Sequence, residues 1–361
     1  MANYTAIDDS SVYFQTKLYT GTGSQLAVTL DGNSDMQPDF IWFKNRGTTN
    51  SHGLQDVVRG FNTTGIQSTN GNDTDPAFNG SSLGYVSAVA SDGFTVEAGN
   101  CANASSNNYV AWCWKAGTSF SNDASSTGVG TIDSSGSVND TAGISICKWV
   151  GTGSNGTVKH GLTTKPQVIL QKNTGYAYDW YTWHDGIPIN QYLKLNTQGS
   201  ATSSDSGGVT FGNTDPTTSV FSLGNDGGSN RSGDTHIAFI FSERRGYSKF
   251  GTYVGNGAGS GGGPYINLGF RPAFFLLKES DGSDNWTIMD TKRLGYNPRN
   301  DHLFPNLNNA EYATDRIDML GNGIKIIDND GSINQSGQSY VYYAFAENPL
   351  VTSSGVAGLA R

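Results

Sequence analysis

Charge is scarce in this chain, and glutamate is scarcest of all. Asp, Glu, Lys and Arg together make up 15% of the 361 residues, and only five glutamates occur. Long surface helices draw on Ala, Leu, Glu, Lys and Arg, so this shortage argues against a helical bundle. No apolar run approaches the ~20 residues of a membrane-spanning helix; the strongest is "FFLL" at Phe274–Leu277. The opening "MANYTAIDDSSVYF" has neither a basic n-region nor an apolar h-region, so no secretory signal is expected. Basic clusters are missing too. With 22 Lys+Arg against 31 Asp+Glu and a net charge of −9, the chain lacks the footprint that nucleic acid or anionic lipid binds. Cysteine is limited to Cys101, Cys113 and Cys147, an odd number without metal-type spacing, which reads as reduced packing residues.

Glycine is abundant instead, 48 residues, with many Asn, Ser and Thr. Gly and Asn tolerate positive φ, and Ser and Thr close turns locally, so this mixture suits short strands joined by turns. The fold expected is all-β.

One strand is spelled three times. "PDFIWFK" (Pro38–Lys44), "PQVILQK" (Pro166–Lys172) and "PAFFLLK" (Pro272–Lys278) keep the same proline-to-lysine spacing. A glycine turn precedes each proline by 17, 15 and 17 residues, at Gly21, Gly151 and Gly255. An apolar strand follows each by 71, 70 and 68 residues: "YVAWCWK" from Tyr109, "HIAFIFS" from His236 and "YVYYAFA" from Tyr340. A shorter strand precedes that one by 15 or 16 residues, at Phe94, Phe221 and Ile324. Landmarks in one order at matching spacing define three copies, at 13–117, 143–246 and 247–350. Each is domain-sized, whereas solenoid repeats run to ~20–50 residues. Residues 1–12 form an N-terminal segment, 118–142 a Gly/Ser/Thr-rich linker or surface strap with little apolar area, and 351–361 a tail.

Alternate strand residues face opposite sides. Two and four residues after the prolines lie Phe40 and Trp42, Val168 and Leu170, Phe274 and Leu276, a core face in every copy. The intervening Ile41, Ile169 and Phe275 are also apolar, as in a central strand with something over its back. Three tandem antiparallel β-sandwiches of jelly-roll or lectin-like type are expected, each with core enough to fold alone.

Lys44, Lys172 and Lys278 share the core-facing parity and could bind an anionic ligand; the plainer reading lays each stem on the rim with its ammonium in solvent or on a carboxylate. Asp56 and Asp290 lie 12 residues after their lysines, with His184 in the second copy, a mismatch that weakens any shared catalytic pair. "GYAYDWYTWHDG" (Gly175–Gly186) is rich in aromatics. Trp180 aligns with Trp286 and belongs to the core. Tyr176, Tyr178, Tyr181 and Trp183 have no aromatic counterparts, and rings on loops would stack on sugars or pack against a neighbouring copy or subunit. "LDGNSD" (Leu30–Asp35) and "IDNDGS" (Ile327–Ser332) lack the full calcium-loop pattern and read as turns, so no metal is expected. The five histidines are scattered, no nucleophile motif sits in its proper setting, and no catalytic residue or cofactor is assigned.

Together "YFQTKLYTGTGS", "PDFIWFKNR" and "YVAWCWKAGTSFSNDASSTGVGTIDSSGSVN" resemble a repeat domain of virion proteins from marine tailed phages, notably those infecting cyanobacteria. The similarity is high over 13–145 and weaker to about 350. It implies a non-enzymatic structural protein of the virion surface, made in the host cytoplasm. A tail-fibre or tail-associated subunit comes first, contacting host-surface glycan or other virion proteins and assembling as a homo-oligomer. A capsid decoration protein is the alternative, and a glycan depolymerase a more distant one. Unlike many tail fibres, the chain has no heptad shaft.

Overall fold

A computed structural model of the chain describes residues 5–61, 82–203, 209–294 and 296–357. It is all-β, built from several antiparallel sheets and a few single-turn helices.

Three sheets repeat one strand order. In the first copy the opening strand Phe14–Thr20 pairs with the closing strand Asn108–Trp114, then the proline strand Phe40–Asn45, then an outer strand Gly53–Asp56. The second copy uses Ile144–Val150, Thr235–Phe241, Val168–Asn173 and Tyr181–His184 in the same order, and the third Ser248–Val254, Ser339–Pro349, Phe270–Glu279 and Thr287–Asp290. The proline surroundings correspond: Asp39 N–H bonds to Trp114 O and Gln167 N–H to Phe241 O, both from the residue after the proline. Asp39, Gln167 and Ala273 then accept from Val57, Asp185 and Thr291.

Both faces of each proline strand are buried. Ile41, Ile169 and Phe275 meet a smaller sheet of their own copy, built around Gly93–Val96, Val220–Leu223 and Gly323–Ile326. These are the short strands expected at Phe94, Phe221 and Ile324. The other face departs from expectation. Phe40, Trp42, Val168, Leu170, Phe274 and Leu276 all enter one core shared by the three copies. The closing strands add Trp114, Phe241 and Phe345, whose rings lie 5.5–6.3 Å apart in all three pairings. The copies are therefore not sandwiches with private cores on both sides. The inner face of each sheet is covered by the other two, because large apolar side chains occupy it from edge to edge.

The linker also departs from expectation. Thr118–Asn122 and Ser134–Asn139 are strands that continue the second copy's sheet beyond Ile144–Val150. Small side chains permit the fit: a Cβ on Gly136 would lie 2.0 Å from Ile146 O. Ile132 is buried with the second copy's outer core, and Phe120 packs against it.

Candidate functional site

The repeated lysines are structural anchors. Lys44, Lys172 and Lys278 are fully buried, which corrects the rim reading. Lys44 Nζ donates to Asn45 O at 2.5 Å and Thr48 O at 3.3 Å. Lys172 donates to Asn173 O at 3.0 Å and Tyr178 O at 2.8 Å. Lys278 donates to Glu279 O at 2.5 Å and Gly282 O at 3.1 Å. Each ammonium folds the following loop back over the strand end. Burial holds Lys44 and Lys278 down at about 8, because the desolvated charge meets carbonyl dipoles more than carboxylates.

Asp56 and Asp290 serve turns as well. Each Oδ1 accepts two N–H groups of its own turn, and each Oδ2 pairs with an arginine three residues on, Arg59 and Arg293, at 2.5 and 2.6 Å. His184, their counterpart, accepts from Gly186 N–H at 2.9 Å through Nδ1.

A repeated asparagine escaped the sequence reading. Asn103, Asn230 and Asn334 each lie six residues before Tyr109, His236 and Tyr340, so the spacing was there to be found. All three are fully buried. Their Oδ1 atoms accept from Thr22, Thr152 and Asn256 N–H at 2.7, 2.9 and 2.9 Å, and their Nδ2 atoms donate to Ser24, Ser154 and Ala258 O. One amide thus fastens each glycine turn to the segment entering the closing strand. Above it lies a stacked ring pair in every copy: Tyr19 on Tyr109, Trp149 on His236 and Tyr253 on Tyr340, with centroids 5.1, 5.4 and 4.8 Å apart.

The aromatic stretch divides. Tyr181 (6% exposed) and Trp183 (1%) lie on the outer strand and point into the second copy's core, which corrects their placement on an exposed loop. Strand alternation across Tyr181–His184 explains it, since both share the parity that meets the small sheet. Trp180 and Trp286 are fully buried in the shared core, as expected.

Tyr176 and Tyr178 remain on the loop. Asn173 Oδ1 shapes it by accepting from Gly175 and Tyr176 N–H, both at 2.8 Å, while Lys172 holds Tyr178 O. Tyr176 is 50% exposed, 5.6 Å from the half-buried Tyr178, with the Arg231 guanidinium 3.9 Å over its ring. Asp234 holds Arg231 at 3.3 Å. This is an exposed cation–aromatic pair beside a second ring tilted 47° to it.

Several other charged groups form ion pairs within the fold. The acidic turns pair with Arg316, through Asp328 and Asp330, and with Lys17 and Lys292, through Asp31. Among the described residues no three His, Cys, Asp or Glu side chains are placed to hold a metal ion. Cys101, Cys113 and Cys147 are buried and form no disulfide with one another, as read from their spacing. A groove of about 410 Å³ runs between Gln15, Asp31 and Asn33 of the first copy and Arg271, Lys292 and Glu347 of the third. Its charges pair across it or within one wall, Asp31 with Lys292 and Arg271 with Glu347. No helix among the described residues is long and apolar enough to cross a membrane.

Comparison with curated proteins gives no match, and no solved structure matches either. One family profile does match, described as a domain of unknown function, DUF7483, and it runs over residues 9–349, through all three copies without a break. The chain, with its shared core, belongs to the DUF7483 family.

Proposed function

We propose that this protein is a non-enzymatic structural subunit of a tailed-phage particle, tail-associated and exposed on the virion surface, built as three homologous β-sandwiches grown together. The observation that carries the reading is the closure of three equivalent sheets around Trp114, Phe241 and Phe345. One chain then has the outline of a symmetric trimer and suits a three-fold position on a particle. The sequence likeness to phage virion repeat domains supports the same reading. So does the use of the repeated lysine, asparagine and aspartate side chains to bind backbone, which leaves contact chemistry to loops. Tyr176, with Tyr178 and Arg231, is the loop surface best suited to a host-surface glycan.

Gold-labelled antibody against the chain, applied to purified particles, tests the placement. Label at the tail in a small multiple of three or six copies is the expected result; dozens to hundreds of copies on the head would move the protein to capsid decoration. Particles without the chain would end the structural reading. Glycan-array binding that disappears in Tyr176→Ala would support the contact role, and binding unchanged in that variant would remove it.

A further inference from the structure

The linker covers one side of the second copy. Its strand Ser134–Asn139 pairs with Ile144–Val150, and Thr131 and Ile132 N–H bond to Thr157 O in the small sheet, so both sheet edges are closed together. Among the described residues, nothing pairs with the same side of the third copy. Ser248–Val254 ends its sheet, and Tyr265–Asn267 ends the small sheet beside it.

The free groups on this edge can be assigned. Gly255 N–H bonds to Gln338 O in register with Ser248 opposite Phe345. By antiparallel alternation, Lys249, Gly251 and Tyr253 turn their amides to the closing strand, while Phe250, Thr252 and Val254 turn theirs outward. In the second copy the same parity, Ile144, Ile146 and Lys148, faces Asn139, Ser137 and Ser135 of the linker. Burial follows: Trp149 is 2% exposed at the end of the covered strand, whereas Tyr253 at the matching position is only half-buried.

Natural edges are guarded by charge, proline or a bulge. The first copy's free edge carries Lys17, paired to Asp31. The stretch Phe250–Val254 of the third copy contains neither charge nor proline, and it is flanked by Val254 at 58% and Tyr265 at 45% exposure.

We propose that this edge pairs with the same edge of a second copy of the chain, antiparallel about a two-fold axis. The two four-stranded sheets become one continuous sheet of eight, the size of the second copy's sheet, to which the linker adds two strands at one edge and Gln191–Lys194 and Thr202–Ser203 two at the other. A two-fold antiparallel pairing is self-complementary, since each outward N–H and C=O meets its counterpart on an identical strand. The strand's one charge, Lys249, lies outside Phe250–Val254 and donates to Asn267 O at 2.8 Å, so a pairing centred on Thr252 sets no like charges opposite each other. The second copy reaches this strand at Thr252, whose methyl would lie 2.4 Å from a Cβ on Gly186, and among the described residues Ser248–Val254 pairs with no strand but Ser339–Pro349.

Sedimentation of the full chain at micromolar concentration tests this, with amide exchange at Thr252 and Val254 as a second measurement. The expected result is a dimer with both amides protected at high concentration and fast on dilution. Val254→Pro, which deletes an outward N–H at an exposed position, is expected to be folded and monomeric. Val150→Pro, at the equivalent exposed end of the covered strand, is expected to stay dimeric. A monomer at every concentration with fast amides, or a dimer that survives Val254→Pro, would overturn the proposal.

Discussion

The indole of Trp112 donates from Nε1 to Asp290 Oδ2 at 3.1 Å, joining the closing strand of the first copy to the outer strand of the third. The same two positions meet again between the third and second copies, where Tyr343 packs edge-on against His184 at 5.2 Å. Between the second and first, Phe239 stacks on Phe40 at 3.9 Å. Each copy therefore touches both of the others, although the second and first meet at Phe40 of the proline strand and not at the outer strand.

Asp290→Ala should therefore weaken two copies at once. It strips the fully buried Arg293 of its nearest carboxylate and leaves the Trp112 N–H without its acceptor. Breaking a buried pair from one side costs about 3–5 kcal/mol; Glu311, 3.1 Å from Arg293, should hold the loss to the lower end. Urea unfolding measures it, and a loss below about 1 kcal/mol would contradict the assignment.

A shared core predicts shared unfolding. Phe241→Ala removes a ring that touches both Trp114 and Phe345, and should cost about 3–5 kcal/mol. The loss should appear in one cooperative transition, with tryptophan fluorescence and circular dichroism coinciding. Separate transitions, with only the second copy destabilised, would mean that the copies are autonomous after all.

Asn230→Asp tests the amide fastener. The change keeps the shape but replaces the Nδ2 donor to Ser154 O and Gly224 O with a second oxygen. A buried acceptor facing carbonyls costs about 1–3 kcal/mol, and more when charged. The destabilisation should ease as pH drops and the carboxyl protonates. Equal stability of variant and parent at neutral pH would refute the fastener role.

Acid should weaken the fold before carboxylate chemistry begins. Burial holds His160, His184 and His236 down at about 4, and holds His52 well below the same ordinary value of 6.5. Above pH 6.5 these imidazoles are neutral folded or unfolded. Between 6.5 and 4 the unfolded chain takes up protons that the folded chain refuses, so stability falls with pH, by up to about 1.4 kcal/mol per pH unit for each group. Glu279 opposes this. Burial and then Asp284 raise it to about 7, so its contribution fades as pH climbs from its ordinary 4.5 toward 7. Burial raises Glu243 and Asp301 too, and four histidines outweigh these three carboxyls. The urea midpoint should drop from pH 6.5 to 4.5, less steeply in His184→Gln, and a flat profile would remove the account.

Much of the strand pattern was legible along the chain because strand parity is a local property. The spacing of Pro38, Pro166 and Pro272 located the central strands, and Ile41, Ile169 and Phe275 announced cover on the second face. The lysine parity was legible as well, though not what the ammonium would touch, since Thr48, Tyr178 and Gly282 offer only backbone carbonyls that no residue code records. Exposure of Tyr181 and Trp183 was misjudged because a dense aromatic run looks the same on a loop and on a strand.

The sequence by itself determined an all-β chain with a threefold internal repeat and two apolar faces on each central strand, because side-chain alternation and turn chemistry act over a few residues. Only the tertiary structure decided that Phe40, Leu170 and Phe274 fill one core, that 118–142 closes a sheet edge, and that Phe250–Val254 stays open. Those outcomes depend on which distant surface covers which, and apolar burial is non-directional: a buried face specifies that it must be covered without naming its cover.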